Sequence, residues 1–331
     1  MKLLFIRLGS LGDIIHTVPA VSAVKRHDPA AEIHWFVDPR HLELLDLVEG
    51  VSRVIPVKAS AAGWLTASGA ARNEGYDAAI DFQGLLKSAA LARLSGARRV
   101  IGFAGEALRE SAASFLYKES APVPGVTHVI RKNLALLDAI GVTARGVEFR
   151  FVERPSAAAR QVRTALGDRH AAINPGAAWP NKQWPPPRFG AVAAFLHQRF
   201  NLRSVVLWGP GERSLAQAVV SASEGAAIEA PTTSIADLFA ISRAAALLVS
   251  GDTGPLHIGA AVGTPIVGIY GPTDPGRNGP WDPRDVCVSR FETCTCHHQR
   301  RCTRSTWCLE EIGVDEVTAA IERRLAAAGV R

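Results

Sequence analysis

The sequence predicts an α/β chain of two facing Rossmann-like domains, and three observations predict it. Short apolar runs alternate with segments of helical periodicity, the rhythm of a parallel, doubly wound sheet. That rhythm halts at a charged, proline-bearing stretch, VEFRFVERP (Val147 to Pro155), and then starts again. At 331 residues the chain is too long for one ordinary core and suits two domains of roughly 150 residues each. The expected domains are therefore 1–155 and 156–331.

The first half opens on KLLFIRL (Lys2 to Leu8), an apolar run of the kind found in strands buried on both faces. Gly9 and Gly12 permit a tight turn. From there Ile14, Ile15, Val18, Val21 and Val24 recur at helical spacing, which puts Asp13 at or just before a helix start. Further strands are expected at EIHWFVD (Glu32 to Asp38), SRVIPV (Ser52 to Val57), YDAAIDF (Tyr76 to Phe82) and RRVIGF (Arg98 to Phe103). A helix runs from His128 and stops at Gly141. In the second half the strands are AAIN (Ala171 to Asn174), RSVVLWG (Arg203 to Gly209), ALLVSG (Ala246 to Gly251) and PIVGIYG (Pro265 to Gly271). The closing segment from Gly313 reads as a helix with Arg323 and Arg324 near its C-terminal end, where the helix dipole favours cations.

A hydrophobic fraction of 47% supports well-packed cores. The 37 Lys and Arg against 31 Asp and Glu leave +6, and this balance favours anionic partners: phosphates, nucleic acid or an acidic membrane surface. Arg7 interrupts the first apolar run and no small-residue cleavage site follows, so that run is a strand and not a secretory signal. No apolar run is long enough to span a bilayer. A cytoplasmic protein is expected, with its five cysteines reduced or metal-bound.

Four loops carry the candidate chemistry. Asp13 either caps its helix or faces a ligand, since ligands gather at the C-terminal ends of strands in open α/β sheets. GDTGPLHIGAAVGTP (Gly251 to Pro265) follows a strand and opens a helix that Asp252 or Thr253 can cap, with Pro255 in the first turn. Backbone N–H groups around Thr253 and Gly254 then suit a diphosphate, and His257 lies one turn in; a capped junction without a ligand is the alternative. NPGAAWPNKQWPPPRF (Asn174 to Phe189) is stiffened by prolines and offers Lys182 as its only cation before Arg188, either to neutralise a phosphate or as an ordinary surface lysine. In WGPGERS (Trp208 to Ser214) Glu212 can accept bonds from ribose hydroxyls.

Together these motifs resemble the ADP-heptose lipopolysaccharide heptosyltransferase family, most closely its members that add the first heptose of the inner core. RLGSLGDIIHTVPA, DFQGLLKSA (Asp81 to Ala89) and GDTGPLHIGAAVGTPIVGIYGPTDP match the family's three signatures in order, and the resemblance covers nearly the whole chain. It implies the GT-B fold, with the acceptor on the first domain and the nucleotide sugar on the second. It also implies inverting transfer of heptose from ADP-heptose to the Kdo residue of Kdo-bearing lipid A, with no obligatory metal or other cofactor. Asp13 matches the catalytic aspartate, Lys182 the diphosphate lysine and Glu212 the ribose-binding glutamate. Asp252, Thr253, Gly254 and His257 match the donor loop, while Lys87 and Arg109 fall where basic residues bind the anionic acceptor. Ala177 and Ala178 depart from the family, whose closest members carry threonines there. The implied location is peripheral, on the cytoplasmic face of the inner membrane, and domain closure is expected to bring Asp13 to the donor.

Cys294, Cys296, Cys302 and Cys308 crowd one basic loop with His297 and His298. Their spacing departs from paired C-x-x-C, so reduced thiols are the reading taken and zinc the alternative. Arg300, Arg301 and Arg304 of that loop face the acceptor or an acidic membrane in this reading. Other activities remain as rivals: transfer of a later core heptose or a related nucleotide-sugar transfer, an NAD-dependent oxidoreductase using Asp38, and a nucleic-acid-binding module. The chain lacks G-x-G-x-x-G after its first strand, which weighs against NAD, and it has no concentrated basic helix or aromatic ladder for nucleic acid.

Overall fold

Lys2–Ile6 form strand β1, and four of its five residues are buried, which requires packed layers on both faces of the sheet it enters. The computed structural model describes residues 1–329 other than Arg109, Pro124, Val126, Thr127, His298 and Thr303. It divides into two units, Met1–Val152 and Glu153–Arg331.

In the first unit β1 is followed by α1 (Leu11–Ile15), α2 (Val18–His27), β2 (Glu32–Val37), α3 (Leu42–Leu45), β3 (Arg53–Pro56) and α4 (Ala61–Arg72). Then come β4 (Ala78–Asp81), α5 (Leu86–Leu94), β5 (Arg99–Phe103), β6 (Glu119–Ala121) and α6 (Val129–Ala135). Among the described residues these strands make one parallel sheet in the order β3-β2-β1-β4-β5-β6. The chain starts mid-sheet, runs out to β3 and returns to the other side of β1, so its topological switch point lies between β1 and β4. Loops at the C-terminal ends of those two strands are where such a sheet binds ligands.

The second unit repeats the plan. Its elements are α7 (Ala157–Leu166), β7 (Ala171–Asn174), α8 (Pro186–Phe200), β8 (Ser204–Val206), α9 (Arg213–Ser221), β9 (Ala227–Glu229) and α10 (Ile235–Ala244). They continue with β10 (Leu247–Gly251), α11 (Gly254–Ala261), β11 (Ile266–Tyr270), α12 (Pro275–Asn278), β12 (Val286–Ser289) and α13 (Val314–Ala327). The parallel order is β12-β11-β10-β7-β8-β9, which places the switch point between β7 and β10. Trp184 and Phe189 pack edge-on in this unit's core at 4.9 Å, and the Trp184 Nε1 donates to the Ile312 carbonyl at 3.0 Å.

Local differences from the sequence reading have plain causes. The helix expected to run on from Ile14 is two helices, broken at His16–Thr17. Pro19 lacks an N–H and its ring obstructs the carbonyl four residues back, so it begins a new helix instead of continuing the old one. The segment after His128 is helical to Ala135 and then tightens into a 3-10 turn that Gly141 ends at φ 74°. Edge strands β6, β9 and β12 lay outside the expectation. Arg324, expected to serve the helix dipole, instead is buried and donates through Nε to Asp285 Oδ1 at 2.6 Å. Burial pushes the Asp285 carboxyl up, against the lowering effect of the Ile266 N–H and of Arg324. Among the described residues no helix is long and apolar enough to cross a membrane.

Candidate active site

At the first unit's switch point the chain leaves β1 through Arg7, a charged residue that is only 7% exposed. A guanidinium so placed must be paired, and it is: it donates to the Phe82 carbonyl at the end of β4 and forms an ion pair with Asp13. Ser10 starts α1, and its backbone N–H and hydroxyl donate to Asp13 Oδ2 at 3.0 and 3.1 Å. Asp13 is therefore the third helical residue of a capping box, with Ser10 as the cap. Its side chain keeps about a third of its surface exposed, at 32%. Fixed from below by Arg7 and from one side by Ser10, the carboxylate is held in one orientation and still faces solvent.

The neighbouring loop is locked by a buried acid. Asp81, at the end of β4, accepts hydrogen bonds from the backbone of Gln83 and Gly84, from Ser88 Oγ at 2.7 Å and from the Tyr117 hydroxyl at 2.8 Å. Burial pushes its carboxyl up despite those bonds. Burial and then the Asp81 charge push the Tyr117 hydroxyl far above its ordinary value, which suits a permanent donor. Gln83 Oε1 accepts from the Leu8 N–H at 2.9 Å, tying the β1 and β4 loops together. Thr17 Oγ1 donates to the Asp13 carbonyl at 2.9 Å, and Asn133 Nδ2 in turn donates to Thr17 Oγ1 and the His16 carbonyl. Lys87 is exposed in the first turn of α5. Arg109 lies outside the described residues.

The second unit's switch point is built around Asp252, whose side chain is 5% exposed. Lys182, carried by the β7 loop, places Nζ 2.6 Å from Asp252 Oδ2. His257 Nε2 lies 3.2 Å from Oδ1, and Asn278 Nδ2 donates to the same oxygen at 3.0 Å. Burial alone would raise this carboxyl, but the His257 bond and the charges of His257 and Lys182 outweigh it and hold Asp252 well below the usual carboxylate range. Asp252 thus stays an anion that orients a cation. Lys182 is also 5.0 Å from the Trp179 ring centroid, a second restraint on its ammonium.

Thr253 is the residue before α11, yet its side chain does not cap that helix. The Thr253 hydroxyl turns to Asn174 Nδ2 at 3.1 Å instead, and Pro255 occupies the first turn. The Thr253 side chain thereby leaves the N-terminal N–H groups of α11 uncapped, an arrangement that can hold an anion. Glu212 follows β8, and its Oε2 accepts from the Gly209 N–H at 3.0 Å. A Cβ on Gly176 would stand 2.1 Å from that same oxygen, so the glycine opens the space in which the carboxylate rests.

Within the second unit the structure brings Lys182, Asp252 and His257 into one constellation, with Thr253 and Gly254 at the adjoining helix start. Sequence reasoning missed Arg7, Asn174 and Asn278. A charge inside an otherwise doubly buried strand was the available signal for Arg7; neither asparagine carried one. Asp38, the acid the oxidoreductase reading relied on, is taken up by Arg40 through Nε at 2.9 Å and Nη2 at 3.0 Å.

The profile of glycosyltransferase family 9 (heptosyltransferase) matches residues 68–308. Lipopolysaccharide heptosyltransferase 1 of Pseudomonas aeruginosa is 28% identical over 321 residues, which cover 92% of this chain and 88% of the relative. Lipopolysaccharide heptosyltransferase 3 of Escherichia coli K12 is 26% identical over 333 residues, 95% of each chain. The solved structure of E. coli heptosyltransferase WaaC with ADP aligns at a TM-score of 0.75 and 24% identity, over 98% of this chain and 100% of that one, a likeness that gives the fold class as GT-B.

Proposed function

This chain belongs to glycosyltransferase family 9, the heptosyltransferases, and from that premise we propose that it transfers heptose from ADP-heptose to the Kdo residue of Kdo-bearing lipid A, the first heptose of the lipopolysaccharide inner core. The observation that carries the reading is the Lys182 ammonium oriented by buried Asp252 beside an uncapped helix start. That combination suits a diphosphate whose negative charge grows as it departs.

In the proposed reaction the acceptor hydroxyl attacks the anomeric carbon of the heptose while the bond from that carbon to ADP breaks, which inverts the anomeric configuration. Asp13 accepts the hydroxyl proton; such general-base help is typically worth about a hundred- to ten-thousandfold. Lys182 and the N–H groups at the start of α11 neutralise the leaving diphosphate, and Glu212 accepts from the ribose hydroxyls. Asp252 acts as a positioning residue, because Lys182, His257 and Asn278 already occupy it. The diphosphate needs little protonation to leave, so a second catalytic carboxylate is unnecessary.

Lys87, and Arg109 by its place in the sequence, are the proposed contacts for the anionic acceptor. A peripheral seat on an anionic membrane fits the same face. The 3-10 turn Ser111–Leu116 packs on α5 and leaves Phe115 89% exposed, with Leu86 exposed beside Lys87 on that helix.

Incubating the protein with ADP-heptose and either Kdo-bearing lipid A or the same lipid already carrying one heptose tests the proposal. A heptose mass increment on the first acceptor is expected. An increment only on the second would assign a later core position, the reading that similarity to the type 3 enzyme favours.

A further inference from the structure

The loop from Arg290 to Trp307 forms neither helix nor strand among its described residues. A connection longer than about 12–15 residues without secondary structure is uncommon in a compact domain unless something holds it. What gathers this one is sulfur. Cys294, Cys296 and Cys308 are buried, with their Sγ atoms all within 4.8 Å of one another. Cys294 Sγ is 3.4 Å from Cys296 Sγ and 3.6 Å from Cys308 Sγ. Four sulfurs at the usual Zn–S length of about 2.3 Å stand about 3.8 Å apart in a tetrahedron, so the three thiols already outline one of its faces.

The surroundings fit a metal better than a patch of core. Buried free cysteines can act as small hydrophobes, but then they mix with Leu, Ile and Val. Here the three form a cluster of their own, apart from the main core of the unit, and the side chain packed against it is a fourth cysteine, Cys302. Donors also point at the sulfurs. Asn181 Nδ2, on a 3% exposed side chain, lies 3.5 Å from Cys296 Sγ, and the Cys296 N–H is 3.4 Å from Cys294 Sγ. Such bonds stabilise thiolate charge in the second layer of a metal site. Four thiolates around a divalent ion leave two net negative charges, and Arg300 and Arg301 lie in the same loop to offset them, while Arg304 is taken up by Glu311.

We propose that Cys294, Cys296, Cys302 and Cys308 form a structural tetrathiolate site for a divalent zinc ion. Cys302 supplies the fourth ligand by turning in from its place against the cluster. Binding releases the thiol protons and involves no redox change. The ion pins the loop to the turn Pro180–Lys182, because Asn181 also donates to the Gln299 carbonyl at 2.9 Å and is followed directly by Lys182. That last consequence, support of the donor lysine, rests on the function proposed above; the metal site itself does not.

The test uses the full chain purified without a polyhistidine tag from zinc-supplemented cells. Elemental analysis should find about one zinc per chain, retained in Cys287→Ser and lost in Cys296→Ser. Should the Cys296 variant fail to fold, wild-type protein gives two further readings. A mercurial titration should release zinc as the clustered thiols react, and cobalt exchanged into the site should show thiolate-to-cobalt absorption with the visible bands of tetrahedral cobalt. Zinc far below one per chain, a Cys294–Cys296 disulfide, or an octahedral cobalt spectrum overturns the site. Stoichiometric iron with thiolate-to-iron absorption overturns the choice of zinc. Normal zinc content with unchanged ADP affinity in Asn181→Ala would remove only the link to Lys182.

Discussion

Lys182 Nζ stands 2.6 Å from Asp252 Oδ2, and the two residues come from loops on either side of the second unit's switch point. An ammonium has three donors, so one can remain on Asp252 while others meet a phosphate. The pair is a cation held ready, and its removal has a predictable size. Charge-assisted hydrogen bonds contribute about 1.5–3 kcal/mol, so Lys182→Ala should weaken ADP binding roughly ten- to a hundredfold. Calorimetry at two salt concentrations checks this, and unchanged affinity would remove Lys182 from the donor site.

Asp13→Asn should reduce transfer by about a hundred- to ten-thousandfold while ADP affinity stays near normal. The amide oxygen can still accept from Ser10, so the capping box survives, but the buried Arg7 guanidinium loses its carboxylate and the melting temperature should fall. Wild-type turnover in this variant would sink the assignment of Asp13 as base.

Glu212→Ala should raise the dissociation constant for ADP by about tenfold through loss of its ribose contacts, with little change in acceptor KM. A rise confined to acceptor KM would place Glu212 elsewhere in the reaction.

The Asp252 carboxyl is held below its ordinary value in the folded chain. Its ionised form therefore adds stability that is fully present above the unfolded value near pH 4 and is lost as the pH falls below it. Urea midpoints of wild type and Asp252→Asn should differ at pH 7 and converge as the pH drops from about 4. A gap that stayed constant through that range would contradict the proposed coupling.

Arg324→Ala should destabilise the second unit by about 3–5 kcal/mol, because it strands a buried Asp285. A denaturant midpoint within error of wild type would show that water or another cation takes the place of the guanidinium.

Central strands and strand-to-helix junctions were legible because each combines an apolar run with turn residues and a new periodicity. Asp13, Lys182 and the Asp252 loop stood out for that reason. Outer strands other than β3 did not: Glu119–Ala121 and Ala227–Glu229 are three residues each, too short for alternation to register. Site contacts made across the sheet were equally hidden. Nothing local to Arg7 says that its guanidinium meets the Phe82 carbonyl, and Asn278 reaches Asp252 from the end of α12, 26 positions on. Arg324 misled because its place at a helix end had a sufficient local explanation, whereas a buried aspartate on another element decides its role.

Both sheets start in their middle, and this governs when each site can exist during synthesis. Leu8 and Gln83 are 75 positions apart, and Lys182 and Asp252 are 70. A ribosome that has made the second unit only as far as β8 has exposed Lys182 to solvent with its aspartate still unmade. No early hairpin or local helix can pre-form the Lys182–Asp252 pair or the tie between the β1 and β4 loops, since each waits for the crossover that sets the fourth strand of its unit beside the first. Retention of ADP by a refolding or nascent chain would therefore time the closing of the sheet, a late event, and would be silent about collapse.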